Sequence, residues 1–300
     1  MTLKLAIDWT PNINHIGFFV ADALSFYKEN GLNIEIINPA DDNYRLTPAK
    51  KVELGKADFA LCPLESVLSY RVKDQPCMLM ALAAMYQEDV SAIVVKDQTI
   101  NSPKDLDGKS YASYKARYED KIVEQMIKND GGKGSVNKLY PDKLGIWETV
   151  LKNKADATWI FTNWEGIQAQ ETNEQLSYFK LKDYDIPYSY SPVLVAEISN
   201  INRKKEAIKK FMNATKKGFL FSKDNPEKAC AILSKHVPKY DENINLIKAL
   251  SASSPFFGDQ DNWGMMDPTS VDTFLLWLHK NNLETTRFMP SDIITNEFLE

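Results

Sequence analysis

The chain has 300 residues, 44% hydrophobic and 26% charged, with 12 glycines and 14 prolines; this excludes disorder and collagen-like repetition and suits one large domain or two smaller ones. Thirty-six basic residues stand against 41 acidic ones, a net charge of −5, and no basic stripe is interleaved with aromatics, so nucleic acid is not an expected partner. The longest apolar stretches, such as Leu79 to Tyr86, fall well short of the roughly 20 residues that cross a bilayer, so no membrane-spanning segment is expected.

Leu3 to Asp8 alternates in polarity and is predicted as a strand. After a turn containing Pro11, Gly17 to Asn30 carries Phe18, Phe19, Ala21, Ala23, Leu24 and Tyr27 at near-helical spacing, and Gly31 stands where a helix C′ residue belongs. Leu32 to Ile37 is a second strand, Pro48 to Gly55 a short helix, Ala57 to Leu61 a third strand and Leu64 to Lys73 another helix. This β-α-β-α-β-α order predicts a parallel sheet with crossover helices. Met80 to Val95 reads as two strands broken near Gln87, Glu88 and Asp89.

A polar turn from Asn101 to Lys109 opens a second unit. It contains a strand at Ser110 to Ser113, a helix around Glu119 to Asp130, an extended stretch near Val136 to Tyr140, a helix at Ile146 to Lys152, a strand at Ala155 to Phe161 and a helix from Trp164 to Thr172. Ser191 to Ile198 is one more strand, and helical patterns follow at Lys204 to Ser222, Pro226 to His236, Ile244 to Ser251 and Pro268 to Asn281. The expected organisation is a discontinuous first lobe, residues 1–87 and 192–300, and a second lobe, residues 88–191. The two crossings, near Gln87 and Ser191, would act as a hinge with a ligand cleft between the lobes.

Asp8 to His15, reading Asp-Trp-Thr-Pro-Asn-Ile-Asn-His, lies at the carboxyl end of the first strand, where open α/β sheets place ligands. Trp9 offers a flat face for an aromatic heterocycle, and Asn12 and His15 supply donors and acceptors. Trp9 could equally be expected to pack between the lobes, with Asn14 capping the helix. Ser113 to Glu119 bring Lys115 and Arg117 to a strand-to-helix junction that could hold an anion, although the turn lacks the glycines of a phosphate cradle and Lys115 suits a solvated loop as well. Trp159 to Glu165 place two tryptophans and a carboxylate beside the next strand end. Glu165 is either an acceptor for a ligand amine or a first-turn helix acid favoured by the macrodipole, and Glu65 has the same two readings. The candidate ligand contacts are Trp9, Asn12, His15, Glu65, Tyr86, Tyr114, Arg117, Trp164, Glu165, Tyr188 and Tyr190.

Enzymatic motifs are mostly missing: there is no GxSxG, no GxxxxGK[ST], no HExxH and no GxGxxG. Cys62, Cys77 and Cys230 form no CxxC pair and read as small buried hydrophobes, and His236 and His279 have no ligand spacing around them. No metal, no cofactor and no catalytic residue is expected. A chain that begins almost directly on a strand suits a cytoplasmic protein or the mature form of an exported one.

The run Leu5-Ala6-Ile7-Asp8-Trp9-Thr10-Pro11-Asn12, followed by His15-Ile16-Gly17-Phe18-Phe19-Val20-Ala21, Phe26-Tyr27 and Gly31-Leu32, resembles the opening of the thiamine-pyrimidine (NMT/THI-like) family. Further matches are Gly55-Lys56-Ala57-Asp58, the Ser102 to Lys109 turn and Asn163-Trp164-Glu165-Gly166. The resemblance runs over nearly the whole chain. The Asp-Leu-Asp-Gly-Lys segment is common among two-lobed binding proteins, whereas the opening and the Asn-Trp-Glu-Gly run are specific.

The resemblance implies an α/β fold of the two-lobed type II periplasmic-binding-protein kind, with a hinge of two crossover segments and a C-terminal helical region. It implies Trp9 stacked on a pyrimidine, Asn12 and His15 near it and Glu165 bonded to its amino group. The family's fungal synthases use a histidine early in the helix after the third strand, a glycine-rich loop for pyridoxal phosphate and a cysteine-rich run at the second crossover. Here those places hold Leu61 to Val67 with only Glu65 and Ser66, then Ser113 to Arg117, then Pro187 to Ser191. The expectation is a monomeric solute-binding protein that takes a hydroxymethyl- or formylaminomethyl-pyrimidine and passes it to an ABC transporter permease. A cytosolic divergent pyrimidine-precursor synthase or other thiamine-biosynthesis enzyme is the alternative, and relatives of this fold that bind sulfonates, nitrate, riboflavin-like rings or other amines supply a third reading.

Overall fold

The protein is described by a computed structural model over residues 1–299. The chain divides into two compact units: Met1–Asp89, Ser189–Asp272 and residues 288–299 in one, Val90–Tyr188 and Thr273–Arg287 in the other. Residues 273–287 thus join the second unit, whereas the sequence reading kept them in the first lobe. The physical reason is side-chain contact: the Phe274 ring meets Tyr188 edge-on at 5.4 Å, and Glu284 binds Arg117 and Tyr118.

The first unit holds strands β1 (Thr2–Ala6), β2 (Asn33–Ile37), β3 (Phe59–Cys62) and β4 (Leu79–Ala84), and the second begins with β5 (Ser91–Val95), β6 (Ser110–Ala112), β7 (Asn137–Leu139), β8 (Ala157–Phe161) and β9 (Ser177–Phe179); β10 (Val193–Glu197) returns to the first. Helices in chain order are α1 (Ile16–Ala23), α2 (Phe26–Glu29), α3 (Pro48–Glu53), α4 (Glu65–Arg71), α5 (Glu119–Asn129), α6 (Ile146–Leu151), α7 (Glu165–Glu171), α8 (Ile198–Asp224), α9 (Pro226–Leu233), α10 (Leu246–Ser253), α11 (Pro268–Lys280) and α12 (Pro290–Ile293).

The first sheet has the order β2-β1-β3-β10-β4 and the second β7-β6-β8-β5-β9. Strands joined by crossover helices pair in parallel, as expected: Leu3 opposite Ile34, Leu5 opposite Phe59, Tyr111 opposite Ala157. Neither sheet is wholly parallel, however, which corrects the sequence reading. β10 lies antiparallel between β3 and β4, and β5 antiparallel between β8 and β9. Both are the strands on which the chain arrives from the other unit, so no crossover helix within the sheet dictates their direction. β9 escaped sequence reading because three residues with only Phe179 buried carry no alternation to detect.

The predicted helix Gly17 to Asn30 is two helices, broken at Ser25 in the left-handed conformation, φ +63°. The break lets Phe26 and Tyr27 turn inward, Tyr27 stacking on Phe211 at 5.4 Å and bonding Thr215 through its hydroxyl at 2.8 Å. Phe59 stacks on Phe211 from the sheet side at 4.4 Å, and Phe219 meets Phe18, Phe257 and Trp263. This aromatic core fixes α1 against α8 at a distance only glycine permits: a Cβ at Gly218 would lie 2.1 Å from the Gly17 carbonyl oxygen, and one at Gly17 would lie 2.0 Å from the Phe219 ring. In the second unit, Ala112, Ile146, Val150 and Ala155 pack on one face of the sheet with Tyr114 and Trp147 against them.

Candidate functional site

In each unit the informative turns leave the carboxyl ends of strands. After β1, Asn12 caps a short 3₁₀ turn, Ile13–His15: its Oδ1 accepts the Asn14 N–H at 2.8 Å, and its own N–H donates to His15 Nδ1 at 3.2 Å. Because Nδ1 is an acceptor, the ring proton sits on Nε2, which donates to Asp8 Oδ1 at 2.8 Å. His15 is fully buried, while the Asp8 side chain is 14% exposed. The histidine therefore serves as a buried strut that aims a carboxylate the sequence reading quoted but did not assign.

Trp9 is partly exposed, its ring tilted at 53° to Tyr44 with centroids 5.7 Å apart. The Tyr44 hydroxyl donates to the Asp8 backbone carbonyl, and burial, reinforced by the Asp8 charge, pushes its pKa upward. Tyr44 carries no sequence signal, since it reaches the site from a loop 36 residues away. Tyr86 donates to Asn14 Oδ1 at 2.6 Å and stacks on Phe257 at 5.7 Å, so it holds the same turn from behind. Glu65 opens α4 and is buried; with Asp8 it adds negative charge to the burial that raises the Cys62 thiol. Tyr190 braces the β3–α4 turn, its carbonyl accepting the Leu64 N–H at 3.0 Å and its hydroxyl the Asp267 N–H at 2.9 Å.

In the second unit, Trp159 on β8 is the partly exposed indole: Nε1 donates to Ser91 Oγ at 2.7 Å and its ring meets Tyr188 at 5.1 Å. Trp164 is fully buried as the residue before α7. Glu165, the first residue of that helix, accepts the Phe161 N–H on Oε2 at 3.0 Å, closing the turn after β8. One of its oxygens is thus engaged in the local turn, the role that its helix position suggested beside the ligand role.

Tyr114 and Arg117 share the turn after β6. Glu119, quoted in the sequence reading only as the end of this run, is the residue that organises it: Oε1 accepts from the Tyr111 hydroxyl at 2.8 Å and the Tyr114 N–H at 3.0 Å, and Oε2 from the Ala116 N–H at 3.2 Å. Burial pushes the Glu119 carboxyl above its ordinary range even against these donors. Arg117 pairs with Glu284 at 3.1 Å, and burial of that acid is outweighed by the Tyr118 hydroxyl, the Thr286 N–H and the guanidinium, which hold its carboxyl low. Among the described residues no group of three histidine, cysteine or acidic side chains is placed to hold a metal.

The chain matches the protein family described as "NMT1/THI5 like" over residues 12–229. A formylaminopyrimidine-binding protein of Halalkalibacterium halodurans is 24% identical over 276 residues, 87% of this chain and 82% of that one. A 4-amino-5-hydroxymethyl-2-methylpyrimidine phosphate synthase of Legionella pneumophila is 21% identical over 260 residues, 85% and 79% of the two chains. Among solved structures, the alkanesulfonate-binding protein SsuA of Xanthomonas axonopodis pv. citri, bound to MOPS, superposes with a TM-score of 0.73 at 9% identity, covering 98% of each chain. The fold is the α/β two-lobed periplasmic-binding-protein-like one.

Proposed function

Since the chain belongs to the NMT1/THI5-like family, we propose that it is a solute-binding protein whose ligand is an aminopyrimidine related to thiamine, handed on to the permease of an ABC importer. The observation that carries this reading is the Asp8–Trp9 pair: a partly exposed indole beside a carboxylate held by a fully buried histidine. An aminopyrimidine has a flat face to stack and an exocyclic amine to donate, so the pair matches both of its binding features. The likeness to a formylaminopyrimidine-binding protein over most of both chains supports the same ligand class.

The synthase relative keeps a second reading open to test, a catalytic one in which Glu65 or Glu165 transfers a proton. The histidines of this chain give it little: His15 has both nitrogens engaged, His236 stacks on Phe19 at 4.4 Å, and His279 Nδ1 faces the Glu284 carbonyl at 3.2 Å.

Calorimetric titration with hydroxymethyl- and formylaminomethyl-pyrimidine tests the proposal, with mass spectrometry of the ligand afterwards. The expected result is micromolar or tighter binding, on the order of −8 kcal/mol, with the ligand recovered unchanged. Trp9→Ala should weaken it by about 1–3 kcal/mol, the scale of base–aromatic stacking, without lowering the melting temperature of the free protein. Turnover of the pyrimidine that is lost in Glu165→Gln would replace the binder with the enzyme; undiminished affinity in Trp9→Ala would make Trp9 a packing residue.

A further inference from the structure

The loop between β2 and α3 is shaped around one side chain. Asn38 caps a 3₁₀ turn, Pro39–Asp42, its Oδ1 accepting the Ala40 N–H at 3.0 Å, and the buried Lys51 ties Asp42 to α3 at 3.2 Å. The next two residues, Asn43 and Tyr44, are both left-handed, φ +52° and +58°. Asparagine tolerates that region, but a bulky aromatic residue is an outlier there, because its Cβ crowds the following carbonyl oxygen. Backbone so placed persists only where surrounding contacts hold it, and such places gather at functional sites.

Three contacts hold Tyr44. Its N–H donates to the Pro39 carbonyl at 2.8 Å, its hydroxyl donates to the Asp8 carbonyl, and its ring lies against the Trp9 indole with centroids 5.7 Å apart. The Asp8 carbonyl belongs to the peptide that joins Asp8 to Trp9, so the hydroxyl and the ring bear on the same residue, one through its backbone and one through its side chain. Burial, reinforced by the Asp8 charge, keeps the phenol in the protonated form that can donate. His15 aims the Asp8 carboxylate and Tyr86 braces the turn through Asn14, whereas Tyr44 serves the indole.

A partly exposed side chain changes rotamer on the picosecond-to-nanosecond scale unless something restrains it. A ligand that stacks on a moving indole must first stop the motion, and immobilising one such side chain lowers affinity by a factor of about two to ten. A ring already packed against the indole in the free protein removes that penalty in advance. We propose that Tyr44 is a positioning residue of the ligand site: anchored by its hydroxyl to Asp8, its ring holds the Trp9 indole in the orientation that stacks on the ligand. Asp8, Trp9 and Tyr44 all belong to the first unit. The identity of the ligand rests on the aminopyrimidine reading above; the restraint on the indole rests on the loop and its three contacts.

Two variants of the full chain test this. Glycine adopts the left-handed conformation without penalty, so Tyr44→Gly removes the ring and lets the loop keep its shape, while Tyr44→Phe removes only the anchoring hydroxyl. In isotope-labelled protein the Trp9 indole N–H resonance, identified by its absence from Trp9→Phe, reports the order of the ring with no ligand present. Its heteronuclear NOE should be high in the parent, reduced in Tyr44→Phe and lowest in Tyr44→Gly. Calorimetric titration with hydroxymethylpyrimidine should show binding about two- to tenfold weaker in Tyr44→Gly. Adding Tyr44→Gly to Trp9→Ala should cost no further affinity, because the tyrosine acts through the indole. A tyrosine that merely supports the fold would lower the melting temperature and leave indole order and affinity as in the parent. That result, an indole as ordered as the parent's in either variant, or an equal loss of affinity in the Trp9→Ala background would each overturn the proposal. If the parent binds no pyrimidine while the indole loosens as stated, the aminopyrimidine reading falls and the positioning of Trp9 stands. Should Tyr44→Gly fail to fold, Tyr44→Phe decides alone, and an indole left fully ordered without the hydroxyl refutes the proposal.

Discussion

The turn after β1 and the turn after β6 occupy matching places in the two units, each leading from a parallel strand toward a helix, and each carries an acid that the turn depends on. In the first, the acid is Asp8: a buried histidine grips one oxygen, and the side chain keeps some exposure. In the second, the acid is Glu119, turned inward with three donors on its two oxygens. The same functional group therefore presents itself in one unit and plugs a turn in the other. What decides is which donors reach it: a single imidazole N–H leaves most of a carboxylate's acceptor capacity spare, whereas two backbone N–H groups and a phenol occupy most of it.

The comparison breaks most violently from behind the first turn. α1 leaves that turn and rests on α8 through the Gly17–Gly218 approach. Gly218→Ala forces a methyl group onto a carbonyl oxygen, and overpacking of this severity should cost about 3 kcal/mol or more, read as a lowered midpoint in urea unfolding. Unchanged stability would mean that α1 and α8 can separate freely, and that the first turn is not held rigid from below.

A smaller effect is expected at the strut itself. His15→Ala leaves the Asn12 N–H and the Asp8 carboxylate without the ring that joins them and should destabilise the fold by about 1–3 kcal/mol. It should also weaken aminopyrimidine binding, since Asp8 loses its fixed aim. Loss of stability with full affinity would show that Asp8 needs no positioning, and the contrast with Glu119 would lose its meaning.

The smallest effects are pH slopes within the second turn. Glu119, raised by burial, binds its proton more tightly folded than unfolded, so its contribution is full below the ordinary glutamate value of 4.5 and declines as pH rises through the folded value. Glu284 behaves oppositely: despite its burial, the Tyr118, Thr286 and Arg117 contacts hold it low, so its contribution is present above 4.5 and lost as pH falls through the folded value. Denaturant titrations across this range should show Glu119→Gln losing the decline on the alkaline side and Glu284→Gln losing the decline on the acid side. Identical profiles for the two variants would contradict the assignment of one acid to a buried turn and the other to an ion pair.

Much of this was legible from residue patterns. Gly31, at φ +71°, ends α2 where the pattern placed a helix stop, and the β-α-β order marked β1 and β2 as a parallel pair. Trp9 and the Asp8 to His15 run stood out because they sit at a strand end. Tyr44 and Glu284 did not, because each acts through partners that only folding brings near: Tyr44 crosses 36 residues to Asp8, and Glu284 lies 167 residues from Arg117. The role of Glu119 was hidden for another reason, since its partners Tyr111, Tyr114 and Ala116 are close in the chain and only the conformation of the turn aims them at its carboxylate. The antiparallel entry of β5 and β10 was equally hidden, since strand direction there follows from the chain's passage between units and leaves no mark on alternation.

The amino-acid sequence by itself determined the alternation of strands and helices, the two α/β units and the family, because periodicity, turn residues and short motifs are local and survive without their neighbours. The tertiary structure alone decided that His15 serves Asp8, that Glu119 closes a turn and that residues 273–287 belong with the second unit. Those are questions of which donor meets which acceptor: His15 and Glu119 find theirs through the conformation of a turn, and Glu284 finds its own across more than a hundred residues, and neither turn conformation nor distance in space is encoded by spacing along the chain.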